Sequence, residues 1–180
     1  MTPPPTHPVA VDYLKPSRSS AAGRVPELVE LYSLVYSEPP YNEGPEQFAW
    51  FRGHMRGELD RPGFSLVLAN DDERLVGAAY GWTMAAGSWW STADRIPGPE
   101  IHDADKFAVK EWIVHPRSRN AGIGRELLRR LLDGRDERYA TLSSDPRSEA
   151  RAMYARMGWR QAAKSTLPWG VDMDVLILEL

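Results

Sequence analysis

The amino-acid sequence predicts one α/β domain, and three observations carry that prediction. Short apolar runs of strand type alternate with segments whose apolar residues recur at helical spacing. The chain has 180 residues, the size of one domain, with no internal repeat and no linker long enough to split it. Hydrophobic residues make up 42% of the chain, enough for a packed core.

Taken in order, Val9 to Leu14 reads as a first strand, with β-branched and aromatic residues in a short run. Val25 to Tyr36 repeats apolar residues at Leu28, Leu31, Tyr32 and Val35, a helical spacing with Pro26 near its start. Pro39-Pro40 stops that helix, and Pro45 to Leu59 forms another, with Phe48, Phe51, Met55 and Leu59 on one face. Phe64 to Ala69, the turn Asn70-Asp71-Asp72-Glu73 and Leu75 to Met84 read as a hairpin. Residues 85–105 show no period and contain Gly87, Pro97, Gly98 and Pro99; a loop of that length is often functional. Phe107 to Val114 is a strand, and Gly122 to Leu132 a strongly amphipathic helix closed by Gly134. Tyr139 to Ser143 is a strand and Arg147 to Met157 a helix, with closing strands at Trp159 to Ala163 and Met173 to Leu180. The expected inventory is about seven strands and about four helices.

Composition removes several function classes. With no Cys there is no disulfide framework, thiol nucleophile or Cys-ligated metal. His7, His54, His102 and His115 are scattered, so no metal site is expected. A net charge of -3 argues against a dedicated nucleic-acid binder. No apolar run approaches the roughly 18 residues of a membrane span. Met1-Thr2-Pro3-Pro4-Pro5 has neither a cationic nor an apolar signal region, so a cytoplasmic protein is expected. The charge is uneven. Residues 115–164 hold eleven Arg and Lys164 against six acidic residues, on a chain that is acidic as a whole. Such a patch is either a set of solvated helix faces or a site for a polyanion.

Chemistry concentrates between Glu111 and Gly124. A strand ends at His115-Pro116, a helix begins near Gly122, and Arg119-Asn120-Ala121-Gly122-Ile123-Gly124 lies between them in the form R-x-x-G-x-G. Glycine lets the backbone approach a ligand, and the first N–H groups of a helix lack internal acceptors, so the segment can cradle a pyrophosphate. A P-loop would need Gly-Lys-Ser/Thr where this chain has Gly124-Arg125-Glu126. A dinucleotide fingerprint would follow the first strand and carry more glycines.

That loop, the amphipathic helix, the next strand and Ala152-Met153-Tyr154-Ala155-Arg156-Met157-Gly158-Trp159 together resemble the GNAT superfamily of acyl-CoA N-acyltransferases. The element order matches along essentially the whole chain, residues 1–180. The resemblance implies a mixed central sheet in which the strand at Trp112, Ile113 and Val114 splays from its neighbour and pairs with the pantetheine arm of acetyl-CoA. It implies that N–H groups from Arg119 through Asn120, Ala121, Gly122, Ile123 and Gly124 to Arg125 hold the CoA pyrophosphate. Arg-rich helix faces would meet the 3′-phosphate. Arg147 stands where relatives often show a cofactor-binding asparagine, so it either contacts a phosphate or sits in solvent.

By the same resemblance, Tyr154 occupies the position of the tyrosine that protonates the departing sulfur. Glu111 matches a place where many relatives carry a glutamate, which makes it the first choice of base; Asp145 and His115 are weaker choices. On the acceptor side, Glu38-Pro39-Pro40-Tyr41-Asn42-Glu43-Gly44 joins the first two helices; it is either a polar connection or a site whose two carboxylates, Glu38 and Glu43, and Tyr41 suit a cationic amine. Trp82 and Trp89, with Trp90 and Met84, surround the long loop and form either an acceptor wall or a dimer interface. Trp169 belongs to either surface. The expectation is an N-acetyltransferase that moves acetyl from acetyl-CoA to a primary amine, the acceptor a small molecule and the assembly a homodimer. A covalent acyl-enzyme is disfavoured without Cys. The alternatives are a non-catalytic acyl-CoA sensor on the same fold, or a nucleotide-binding regulator that prefers ATP to CoA.

Overall fold

The computed structural model describes residues 10–72 and 74–180. Val9 of the first-strand reading, Glu73 of the hairpin turn and Met1–Pro5 lie outside the described residues. The elements are β1 (Val11–Leu14), α1 (Arg18–Gly23), α2 (Val25–Tyr36), α3 (Pro45–Leu59), β2 (Ser65–Asp71), β3 (Arg74–Met84), α4 (Pro99–His102), β4 (Lys106–Val114), α5 (Ile123–Leu132), β5 (Tyr139–Ser144), α6 (Glu149–Arg156), β6 (Arg160–Thr166) and β7 (Asp172–Glu179). The seven strands form one sheet in the order β1-β2-β3-β4-β5-β7-β6. The β4–β5 pair is parallel and the others antiparallel, so the sheet is mixed. The four longer helices are those expected from periodicity. The two others, α1 and α4, span six and four residues, too few to show a period.

Alternation along the strands sorts the core into two layers. Leu66, Leu68, Ala78, Tyr80 and Ile113 face α2 and α3, whose Leu28, Leu31, Tyr32, Phe51 and Met55 complete that layer. Val67, Ala69, Ala79, Phe107 and Val109 face the other way, against Ile123, Leu127 and Leu131 of α5 and Tyr154 of α6. The helix α5 lies close on β3 because Gly77 has no side chain; a Cβ there would stand 2.9 Å from Leu127 Cδ1.

Two irregularities shape the middle of the sheet. Parallel pairing between β4 and β5 covers only Lys106–Ala108 with Tyr139–Thr141, so the rest of the two strands diverges. In the β3–β4 pair, Tyr80 opposes Glu111 and Gly81 opposes Val109. Lys110 is therefore the extra residue of a β-bulge.

The loop after β3 is firmly held. Lys106 is fully buried and its Nζ donates to the carbonyls of Ile101, His102 and Ala104 at 3.1, 3.0 and 2.6 Å, capping the end of α4. Burial presses this ammonium below the ordinary lysine range. Farther back, Trp90 Nε1 donates to Thr141 Oγ1 at 3.0 Å, and the Asp94 carboxylate accepts from the Lys164 N–H at 2.9 Å. The loop thus reaches from β3 across to β6.

Candidate active site

At the end of β4, the His115 side chain accepts from the Arg117 N–H at 3.1 Å, which turns the chain at Pro116. Asn120 and Gly122 both take left-handed conformations, with φ of 63° and 79°, and bring the chain into α5. Among the described residues no protein acceptor meets the N–H groups from Arg119 to Arg125. A Cβ at Gly122 would meet nothing within 4 Å, so the space beside this turn is open. Trp112 fixes the turn to the sheet, its indole N–H donating to the Gly124 carbonyl at 2.7 Å. A row of unpaired N–H groups at the positive end of a ten-residue helix fits a pyrophosphate.

The basic patch is less free than its charge count suggests. Arg129 and Arg130 both bind Glu126, at 2.8 and 2.6 Å, and hold its carboxylate down at about 2. Arg135, Arg138 and Arg151 pair with Glu137, Glu179 and Asp174. Arg147 binds the buried Asp145 through its guanidinium at 2.6 Å and through its own N–H at 2.8 Å, so it organises the turn into α6. Those bonds keep the Asp145 carboxyl below its ordinary range, which suits a structural anchor better than a base. Arg119 reaches Glu38 at 3.2 Å and so ties the glycine turn to the α2–α3 connection. Among the described residues Arg117, Arg125, Arg156 and Arg160 have no carboxylate partner.

Glu111 and Tyr154 lie on opposite faces of β4. Tyr154 lies in the α5–α6 layer, 7% exposed, with its ring stacked on Trp112 at 5.2 Å. Its hydroxyl bonds to none of the described residues and is not a sealed, unpartnered atom. Burial, with Tyr41 and Glu111 adding to it, holds the phenol well above its ordinary range, so it stays a neutral O–H donor at pH 7. Glu111 points to the α2–α3 layer, where the Tyr36 hydroxyl donates to its Oε2 at 2.7 Å. Burial pushes its carboxyl up to about 8; the charges of Glu43 and Glu58 act the same way, while the Tyr36 bond and Lys110 pull back. The gap between β4 and β5 opens beside both groups.

Of the other residues named from sequence, Tyr41 joins this cluster, its ring 4.7 Å from that of Tyr36 in an edge-on contact. Ile113 is buried under α2 and α3, Val114 packs on the α5 side, and neither pairs with β5 among the described residues. The Trp82 indole N–H donates to Glu58 Oε2 at 2.8 Å, on the α3 side. Trp89 is not brought to the cleft. It packs with Ile101, Tyr139 and Ile177 in a separate small cluster, and Trp90 takes the place beside the β4 bulge. Trp169 meets the exposed Trp50 of α3, ring centroids 5.7 Å apart.

Sequence reasoning named Glu43 as an acceptor-side carboxylate but missed Tyr36, Lys110 and Thr141. A signal existed for Tyr36: Tyr32 and Tyr36 fall one turn apart on the buried face of α2, and a buried phenol needs an acceptor. They find Glu43 and Glu111, each at 2.7 Å.

A model of the acetyltransferase (GNAT) family matches residues 25–159. The chain belongs to that family. The match runs from the start of α2 through the glycine turn to Gly158-Trp159. The GCN5-like protein acetyltransferase Rv2170 of Mycobacterium tuberculosis is 33% identical over 98 residues, covering 47% of this chain and 48% of that protein. The chain thus spans about half the length of the curated relative it matches. Among solved structures, PH1933 from Pyrococcus horikoshii OT3 is 21% identical at a TM-score of 0.64, covering 95% of this chain and 99% of that one. The PaiA N-acetyltransferase of Thermoplasma acidophilum, solved in complex with coenzyme A, is 14% identical at 0.62, covering 95% and 99%. The likenesses to solved structures show the GNAT fold. Among the described residues no helix is long and apolar enough to cross a membrane.

Proposed function

We propose that this chain transfers an acetyl group from acetyl-CoA to a primary amine by direct attack, with Glu111 as base and Tyr154 as acid. The observation that carries the reading is that they lie on the two faces of β4 beyond its pairing with β5, Glu111 against Tyr36 and Tyr154 against Trp112. At pH 7 well under about 1% of an ordinary amine is neutral, so a base must take its proton. A carboxyl near 8 suits that task better than an ordinary one, because a base is most effective when its pKa lies close to the working pH. Tyr154, neutral and stacked on Trp112, donates to the sulfur as the C–S bond breaks. The unpaired N–H groups from Arg119 to Arg125, helped by Arg117 and Arg125, hold the pyrophosphate. Acetyl-CoA supplies the activated acetyl group.

On this reading residues 1–180 act as one cytoplasmic catalytic domain that works as a homodimer on a small acceptor. Tyr41 and Trp82 border the acceptor cleft, and Glu38 secures its loop through Arg119. The test is thiol release from acetyl-CoA over amino acids, polyamines, aminoglycosides and lysine peptides. Peptides belong there because the mycobacterial relative is named a protein acetyltransferase. Amine-dependent release that Tyr154→Phe loses is the expected result. CoA binding without release on the whole panel would favour a sensor.

A further inference from the structure

The residue before Glu111 bears on what the acceptor is. Val109 faces the α5 layer, so alternation turns Lys110 toward α2 and α3. The bulge inserts Lys110 without a partner on β3 and thereby keeps Glu111 on the same side, where Tyr36 meets it. Two successive side chains, a cation and a carboxyl, thus share one side of the sheet beside the gap.

The Lys110 ammonium lies 4.8 Å from the Trp90 ring centroid and 5.4 Å from that of Trp82. Among the described residues it makes no ion pair and no hydrogen bond, whereas Lys106, four residues earlier, makes three. Neighbouring carboxylates are already engaged: Glu58 accepts from Trp82, Glu43 from Tyr32 and Glu111 from Tyr36. Arg61 lies 4.9 Å from the same Trp82 ring, also without a carboxylate partner among the described residues. Indole faces shield a cation from water on its flanks, and a partly desolvated charge attracts an anion more strongly than a free surface lysine does.

We propose that the acceptor carries a carboxylate beside its reacting amine, and that Lys110 holds that carboxylate while Glu111 receives the amine. This rests on the transfer reaction proposed above. A free amino acid has both groups at the required closeness, and Trp82 and Trp90 offer flat walls to its side chain. A polyamine or a peptide lysine side chain brings no carboxylate beside its amine for Lys110 to hold.

The experiment compares kcat/KM for free amino acids, their amides and a polyamine, in wild type, Lys110→Met and Lys110→Arg. Wild type should prefer acid to amide by about 10–100-fold, the value of one charge-assisted bond, with the difference in KM. Lys110→Met should collapse that ratio and Lys110→Arg should keep most of it. A second readout is tryptophan fluorescence titration of the CoA-bound protein with the same acid and amide pairs, which needs no turnover. Release with no acid preference sinks the anchor and leaves the transferase standing. An acid preference in binding without release sinks the transferase and supports the anchor. An acetylated Lys110 in peptide mass spectra would make the lysine an acceptor and overturn its role as anchor.

Discussion

Glu111 shows how one strand position can set a pH profile. Its raised pKa means the base is half formed only near pH 8, so kcat/KM should climb through an acid limb centred there. Glu111→Gln should lose both the limb and most of the rate. The same group makes a prediction of opposite sign for stability. A carboxyl raised in the folded state favours folding while it stays protonated. That contribution is fully present below its ordinary value of 4.5 and is lost as pH rises through about 8. The melting temperature of wild type should therefore fall relative to Glu111→Gln across that window; parallel curves would show that the carboxyl is solvated. Tyr154 acts through its hydroxyl alone in this scheme. Tyr154→Phe should cost about 10²–10⁴-fold in turnover with CoA affinity retained, because the ring still stacks on Trp112. An unchanged rate would remove Tyr154 from the chemistry.

At the scale of elements, α5 is the part whose seat matters most, since its first turn carries the cofactor loop. Gly77→Ala should place a methyl group against Leu127 and lift that helix, costing about 1–3 kcal/mol in a denaturant titration and weakening CoA binding with it. Elements of this kind were readable in advance. Both α2 and α3 run over the residues their periodicity predicted, and the glycine turn announced itself by Gly122 and Gly124 between a strand and an amphipathic helix. What stayed hidden depends on partners far away in the chain. Charge counting made residues 115–164 a strong basic patch, but seven of its eleven arginines are tied to carboxylates, some of them far along the chain, such as Glu38 for Arg119. Trp89 and Trp90 are neighbours with opposite fates, decided by which one meets Thr141. Nor could the bulge at Lys110 be foreseen, because it is a mismatch between two strands and a property of neither alone.

Across the whole molecule, the β1–β4 block and the β5–β7–β6 block share just three paired positions on each strand of their common seam. A cofactor lying in the open part of that seam touches both blocks, and binding to the folded form alone raises stability by about 2.7 kcal/mol at a hundredfold excess over Kd. Hydrogen exchange with and without CoA should show protection at Val109–Val114 and at the N–H groups from Arg119 to Arg125. Protection confined to other surfaces would move the cofactor site elsewhere. The strand order also bears on how the protein is made. The ribosome delivers β6 before β7, yet among the described residues β7 is the strand that β6 pairs with and the one that joins it to β5. The β1–β4 strands can pair as they emerge, while the β7-facing edge of β6 stays unsatisfied until its partner leaves the exit tunnel. Lys164, set among the pairing residues of β6, gives that waiting strand a charge that discourages association with other chains.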